Sequence, residues 1–363
     1  MTLFFHLLRA GLWNKPADPA LFANITSDTW NHIYQLSVQQ ALIGLVYDGM
    51  CSLPADLQPD RALRLKWFMT VQRIEQTNIH LNNTLQQFSD EMDKLGIPFY
   101  LLKGQGQAAF YPNPLRRQSG DIDIYFSSGD AYRKACEWAD KQGVDASHSV
   151  KHISFTWQNA VLEFHDDLSE MHYPIANLRI RNHMRECQAE NGDGRVSVGN
   201  IEVNTLSPEA NLVYMMLHIF SHLITGGIGL RQFCDWARYA SYHKQDINRR
   251  RLRTLLDNTG LRRFANAFAF ILTEYMGLPP EQMPYEYKPD IMSAWLYADI
   301  MEGGNFGTHH RGKQRPRGKW LGKWHTAKKI GIRAFRFFRL SPSETVWLPL
   351  HYSYRNIQML ITK

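Results

Sequence analysis

Three carboxylates at two places in the chain have the types and spacing for metal-assisted chemistry. Gly120-Asp121-Ile122-Asp123-Ile124-Tyr125-Phe126 alternates polar and apolar residues with the period of a strand, so Asp121 and Asp123 share one face while Ile122 and Ile124 turn to a core. Carboxylates two residues apart on a strand stand about 6.5–7 Å apart at Cα and can converge on divalent cations. Hard oxygen ligands of this kind suit Mg²⁺, with Mn²⁺ as an alternative, and Mg²⁺ usually completes its shell with substrate phosphates. The same pair also suits an edge strand with a solvated acidic face, so a third acid matters. Val161-Leu162-Glu163-Phe164-His165 supplies one: Leu162 and Phe164 point one way, Glu163 and His165 the other, whereas Asp166 falls on the opposite face and Asp167 past the strand end.

Other elements must hold these acids in place. Phe99-Tyr100-Leu101-Leu102 reads as a short strand that breaks at Lys103-Gly104, and Gln105 to Tyr111 have helical composition. A strand turning sharply into a helix leaves the first helical amides free for an anion. Lys151 to Trp157 and Ala160 to Asp166 read as a hairpin on Gln158-Asn159 that carries Glu163, and a second hairpin turns on Gly199-Asn200. Before the core, Thr29 to Met50 and Asp60 to Lys94 have helical periodicity, with capping signals at Ser27-Asp28 and Pro59-Asp60.

Taken in order, Lys103-Gly104, Tyr111-Pro112, Arg117, Asp121-Ile122-Asp123 and Glu163-Phe164-His165 resemble the uncharacterised bacterial nucleotidyltransferases of the DNA polymerase β superfamily. The resemblance implies an α+β fold, with a small mixed β-sheet core flanked by N-terminal and C-terminal helical regions. It implies Mg²⁺ ions and transfer of a nucleoside monophosphate from a nucleoside triphosphate, ATP foremost, to an unidentified hydroxyl-bearing acceptor. On that reading Asp121, Asp123 and Glu163 are the catalytic metal ligands, and Lys103, Gly104, Gln105 and Arg117 attend the nucleotide. The family also has an Arg and an Asp on a helix after the sheet domain, which brings Arg231 to the substrate. The local alternative for Arg231 is an ion pair with Asp235 one turn on. The expected division is a helical region over 1–95, the catalytic core over 96–206, a helical domain over 207–300 and a basic region over 301–363.

Composition narrows the setting. The 363 residues are 44% hydrophobic, enough for a large core, and the four cysteines lack metal-ligand spacing, so a reducing cytoplasm is expected. The opening MTLFFHLLRAGLW is broken by His6 and Arg9 and reads as an amphipathic helix rather than a leader. No apolar run is long enough to predict a membrane span. His218 and His222 share a helix face but lack a nearby third ligand, and they read as buried or pocket-lining histidines.

Charge is unevenly spread. Between Arg311 and Arg339 stand eleven Lys and Arg residues and no acid, against a whole-chain charge of +7, so the rest of the chain is net acidic. Interleaved Trp320, Trp324, Phe335, Phe337 and Phe338 make nucleic-acid binding through 311–339 possible, and equally suit a solvated helix with aromatic anchors. The alternative to an enzyme is therefore a protein that keeps the fold but uses this segment to hold a nucleic acid or another anionic partner.

Overall fold

The computed structural model describes residues 2–144, 147–148, 152–168, 171–305 and 319–361. The chain forms two compact units: Met1–Leu168 with Cys187–Asn211, and Ser169–Glu186 with Leu212–Lys363. The fold is α+β.

The first unit opens with helices α1 (Thr2–Trp13), α2 (Ser27–Gln39), α3 (Ile43–Cys51) and α4 (Arg61–Leu95). The single helix expected over Thr29 to Met50 is two, because Gln40 caps α2 and Ala41 takes a left-handed φ of 54°. Thr26 rather than Ser27 caps α2, its hydroxyl accepting from the Thr29 amide at 3.3 Å. The break lets α3 lie against α1 at backbone contact. A Cβ on Gly11 would stand 1.9 Å from the Leu45 carbonyl oxygen, and one on Gly49 2.0 Å from that of Leu7. Only glycine permits this approach. Asp60 caps α4 as its position before the apolar periodicity predicts, accepting from the Leu63 amide at 2.9 Å. Gly96, at φ 63°, ends it.

The sheet follows: β1 (Tyr100–Leu101), the short helix α5 (Gln105–Ala108), β2 (Asp121–Tyr125), α6 (Gly129–Lys141), β3 (Ser147–His148), β4 (His152–Trp157) and β5 (Ala160–His165). The strand order is β1-β2-β5-β4-β3, with β2 and β5 parallel and the other neighbours antiparallel. Parallel neighbours need a crossover, and α6 provides it. Gln158 and Asn159 both take positive φ, the primed turn that suits a two-residue hairpin. A separate two-stranded sheet pairs β6 (Gly194–Val198) with β7 (Ile201–Thr205).

One face of the larger sheet is packed against α4 and α6. Phe88 of α4, Trp138 of α6, and Phe126, Phe155 and Phe164 meet edge to face, Phe155 and Phe164 at 4.9 Å and 88°. Each such ring contributes about 1.5–3 kcal/mol by burial. Ile122, Ile124, Leu162 and Phe164 all turn to this core, so their neighbours are left on the other face.

The remaining helices are α7 (Pro174–Asn191), α8 (Pro208–Thr225), α9 (Leu230–Tyr242), α10 (Arg249–Asn258), α11 (Arg262–Phe270, continued by a π turn Ile271–Tyr275), α12 (Ile291–Gly303), α13 (Lys319–Arg336) and α14 (Pro342–Ile361). No described helix is long and apolar enough to cross a membrane. Within the basic segment, residues 311–318 lie outside the described ones. Arg333 is buried in the second unit, donating to the Leu223 carbonyl at 2.9 and 2.6 Å and to Asp299 at 2.7 Å. Arg336 reaches the same carboxylate at 3.0 Å. Two of the eleven basic residues are thus committed inside the fold.

Candidate active site

The parallel pairing of β2 with β5 sets Asp123 opposite Glu163, Tyr125 opposite His165 and Asp121 opposite Val161. Partners in register project from the same face, so Asp123, Glu163 and His165 converge on the side away from the aromatic core. Asp123 is only 2% exposed; its Oδ1 accepts from Lys103 Nζ at 2.9 Å and from His165 Nε2 at 3.1 Å. Glu163 Oε2 lies 3.8 Å from the same imidazole nitrogen. One ligand atom from each of Asp123, Glu163 and His165 falls within 4.8 Å of the others. Asp121 stands half-buried two residues earlier on β2, and its charge acts on Glu163.

The electrostatics split the two acids. Burial works to raise the Asp123 carboxyl, but the Lys103 ammonium and the His165 hydrogen bond outweigh it and hold the group well below the usual carboxylate range. Glu163 is pushed up to about 7 by burial and then by the charges of Asp123 and Asp121, against weaker pulls from Lys103 and His165. Stability of the metal-free protein follows with opposite signs. The depressed Asp123 contributes stability above its unfolded value that is lost on acidification. The raised Glu163 contributes stability below its unfolded value that is lost as pH climbs to about 7. Melting temperatures measured in EDTA are therefore expected to fall between pH 5 and pH 7.5, and to fall less in Glu163→Gln; identical slopes would contradict the origin given for the shift.

The residues present fit a divalent cation by their donor chemistry. Carboxylate oxygens beside an imidazole suit Mg²⁺ or Mn²⁺, and the Lys103 ammonium on Asp123 Oδ1 marks a position where this site draws positive charge.

Lys103 and Gly104 form the turn between β1 and α5. Gly104 has φ 57° and ψ −116°, a region closed to other residues, and a Cβ there would stand 3.1 Å from the Asp121 carbonyl oxygen. The turn sends the Leu102 amide onto the Asp123 carbonyl at 3.0 Å and swings Lys103 over the Asp123 side chain. Gly104→Ala is expected to cost about 1–3 kcal/mol from backbone strain alone and to displace Lys103; a urea midpoint equal to wild type would refute the strained geometry.

Helix α5 is shorter than expected, four residues rather than the span to Tyr111, so its N-terminus offers little field for an anion. Gln105 is buried and held by α4: its Nε2 donates to Asn82 Oδ1 at 2.8 Å and Asn78 Oδ1 at 3.3 Å. Its Oε1 has no hydrogen-bond partner among the described residues. Asn78 in turn donates to the Leu115 and Arg117 carbonyls at 2.8 and 2.7 Å, tying the loop before β2 to α4. Arg117 is buried and donates to Ser119 at 2.8 Å. Arg231, the second residue of α9, belongs to the other unit. Sequence reasoning assigned no role to His165, although its place two residues after Glu163 already put both on one face. It also gave none to Arg116, which bridges Asp48 and Glu75 at 3.2 and 3.3 Å.

A small mixed sheet that gathers acids on adjacent parallel strands, beside a glycine turn that delivers a lysine, is an arrangement suited to nucleotidyl transfer. The chain belongs to the uncharacterised nucleotidyltransferase family, whose profile matches residues 26–277. It is also similar to an antigenic nucleotidyltransferase-like protein from Paracoccidioides brasiliensis of known crystal structure, at 13% identity and a TM-score of 0.32, over 55% of this chain and 93% of that one. No curated protein matches the chain.

Proposed function

We propose that the protein is a Mg²⁺-dependent nucleotidyltransferase of the DNA polymerase β superfamily, moving a nucleoside monophosphate from a nucleoside triphosphate, ATP foremost, to a hydroxyl-bearing acceptor in a reducing cytoplasm. The observation that carries this reading is the register of Asp123 with Glu163 under the Lys103 ammonium. Asp121, Asp123 and Glu163 would hold the cation, which when bound stabilises charge on the phosphates and on the attacking and leaving oxygens. His165 orients Asp123 through its Nε2 hydrogen bond. Glu163 either completes the cation site or takes the acceptor's proton. Lys103, drawn from Asp123 to the incoming triphosphate, steadies its phosphates with the Gly104 turn, Gln105 and Arg117. The acceptor oxygen bonds to the α-phosphorus as the α–β bridging bond breaks, so pyrophosphate leaves. Such positioning and charge stabilisation supply most of the catalysis in phosphoryl chemistry.

Triphosphates labelled at the α or γ phosphorus test it. The α label is expected to pass to the acceptor, or to water in its absence, and the γ label to pyrophosphate, with both dependent on Mg²⁺. Transfer of the γ label instead would define a kinase and overturn the reading. Glu163→Gln should abolish turnover, while Asp166→Asn should change it less than about threefold, since an exposed carboxylate beyond the end of β5 touches little. Equal losses in the two variants would contradict the strand register. A purely nucleic-acid-binding role through 311–339 has less support, because Arg333 and Arg336 are already engaged by Asp299.

A further inference from the structure

Helices α12 and α13 each carry an apolar face that the core of the second unit does not use. On α13, Ile330, Ala334 and Phe337 are buried, while Ile332, Phe335 and Phe338, the last just past the helix end, stand in solvent. On α12, Leu296 and Ile300 are buried, while Ile291 and Trp295 stand outside, one turn apart. Phe335 is 87% exposed, and each of the other four outward side chains 45% or more. All five line one open groove of about 780 Å³. Single exposed apolar residues are ordinary, whereas a contiguous patch of large ones marks a surface that something covers.

Charge around the groove narrows what that is. Its described lining includes Arg336 and Arg339 and no carboxylate. Exposed Lys328 stands one turn before Ile332 on α13, and no acid occurs between Lys328 and Arg339. The carboxylate that Arg336 reaches, Asp299, is itself buried and shared with Arg333. A second copy of this chain fits poorly, because an isologous contact would set these cations against their own counterparts. RNA or DNA would suit the cations but would bring charged phosphates onto the aliphatic Ile291 and Ile332. A bilayer of anionic phospholipid presents both layers the face requires, phosphates at its surface and hydrocarbon beneath. Trp and Phe beside Arg and Lys are the composition of segments that lie in that boundary.

We propose that the α12–α13 face rests on an anionic phospholipid bilayer. Ile291, Trp295, Ile332 and Phe335 enter the boundary between headgroups and acyl chains, and Lys328 and Arg339 meet lipid phosphates with their aliphatic stems along the apolar side chains. The helices lie on the membrane and do not cross it. The surface belongs to the second unit alone and is independent of the proposed transfer reaction.

Co-sedimentation of the full chain with lipid vesicles tests this. Vesicles of phosphatidylcholine and phosphatidylglycerol in equal parts are expected to carry the protein down at low salt and less at high salt, and phosphatidylcholine alone to bind it about tenfold less or weaker still. Phe335→Ser should lower partitioning about tenfold or more, the scale of one aromatic side chain kept out of hydrocarbon. Replacing Lys328 and Arg339 together with Gln should lower it by about tenfold or more and flatten the salt dependence. Phe335 gives up little burial, so Phe335→Ser should keep the wild-type melting temperature, and its loss of binding cannot come from unfolding. The proposal fails if the mixed vesicles leave the protein in solution at low salt, or if Phe335→Ser partitions as wild type does. In the first event, binding of single-stranded RNA or a dimer seen by light scattering, either abolished by Phe335→Ser, would assign the face to nucleic acid or to a second copy instead.

Discussion

Asp123→Asn is expected to reduce Mg²⁺-dependent transfer by about 10²–10³-fold or more, the scale of losing one preorganised charge contact at a reacting phosphate. The substitution nearly preserves volume in a site that is 98% inaccessible to solvent, so steric repacking contributes little. What it removes is the anion that both Lys103 and His165 address. Breaking a buried pair from one side costs about 3–5 kcal/mol, although the remaining amide oxygen still accepts a hydrogen bond and Lys103 is partly solvated, which places the cost at the lower end. Asp121→Asn separates the two consequences. The Asp121 side chain makes no hydrogen bond or ion pair among the described residues, so its variant should lose transfer while keeping the wild-type urea midpoint. Manganese binding followed by electron paramagnetic resonance supplies a readout apart from turnover. Wild-type manganese affinity together with wild-type transfer in Asp123→Asn would remove this residue from the cation site.

Gly49→Ala is expected to have the largest effect on folding, although it adds one methyl and raises helix propensity by about 1 kcal/mol. The new Cβ would meet the Leu7 carbonyl oxygen at 2.0 Å and its carbon at 2.7 Å, backbone atoms that no rotamer change can move. Helices α1 and α3 must part, loosening Leu7, Leu8, Val46 and Met50, all fully buried. Overpacking typically costs about 1–3 kcal/mol, occasionally more; a clash against a neighbouring helix backbone belongs at the upper end. Gly11→Ala should behave alike through Leu45. The effect should also reach the acidic cluster, because α3 touches the loop that leads to β2: a Cβ on Gly44 would stand 2.3 Å from the Arg116 carbonyl oxygen. Urea denaturation followed by circular dichroism decides it, and an unchanged midpoint in both variants would show that the two helices are not in backbone contact.

The alternation of Asp121 to Tyr125 and of Val161 to His165 made the acid-bearing strands, their faces and the Gln158-Asn159 hairpin readable before any coordinates. Those features are local, set by side-chain period and turn chemistry. That Asp123 rather than Asp121 lies opposite Glu163 was not readable, because register between strands forty residues apart is a tertiary choice. Nor was the placing of Lys103 on Asp123, which follows from the ψ that Gly104 adopts. The break at Ala41 escaped because no proline or glycine marks it; α3 turns there to bring Gly44 and Gly49 against their backbone neighbours. Helix α7 was unread because charged residues crowd Pro174 to Asn191 and hide the buried line Ala176, Ile180, Met184 and Cys187.

The parallel pairing of β2 with β5, single among the described strands of the larger sheet, has a kinetic consequence. Hairpin β4–β5 closes through a two-residue turn and can form within microseconds, but β2 and β5 meet only after the chain has passed through α6 and returned. Non-local pairing of this kind comes late and slowly, and the acids oppose each other only once it is complete. A cation held between Asp123 and Glu163 would then recognise the finished sheet and not its precursors. It should retard unfolding while leaving the refolding rate nearly unchanged, so that the protein's lifetime against proteolysis, rather than the speed with which it is made, would report the divalent cation around it.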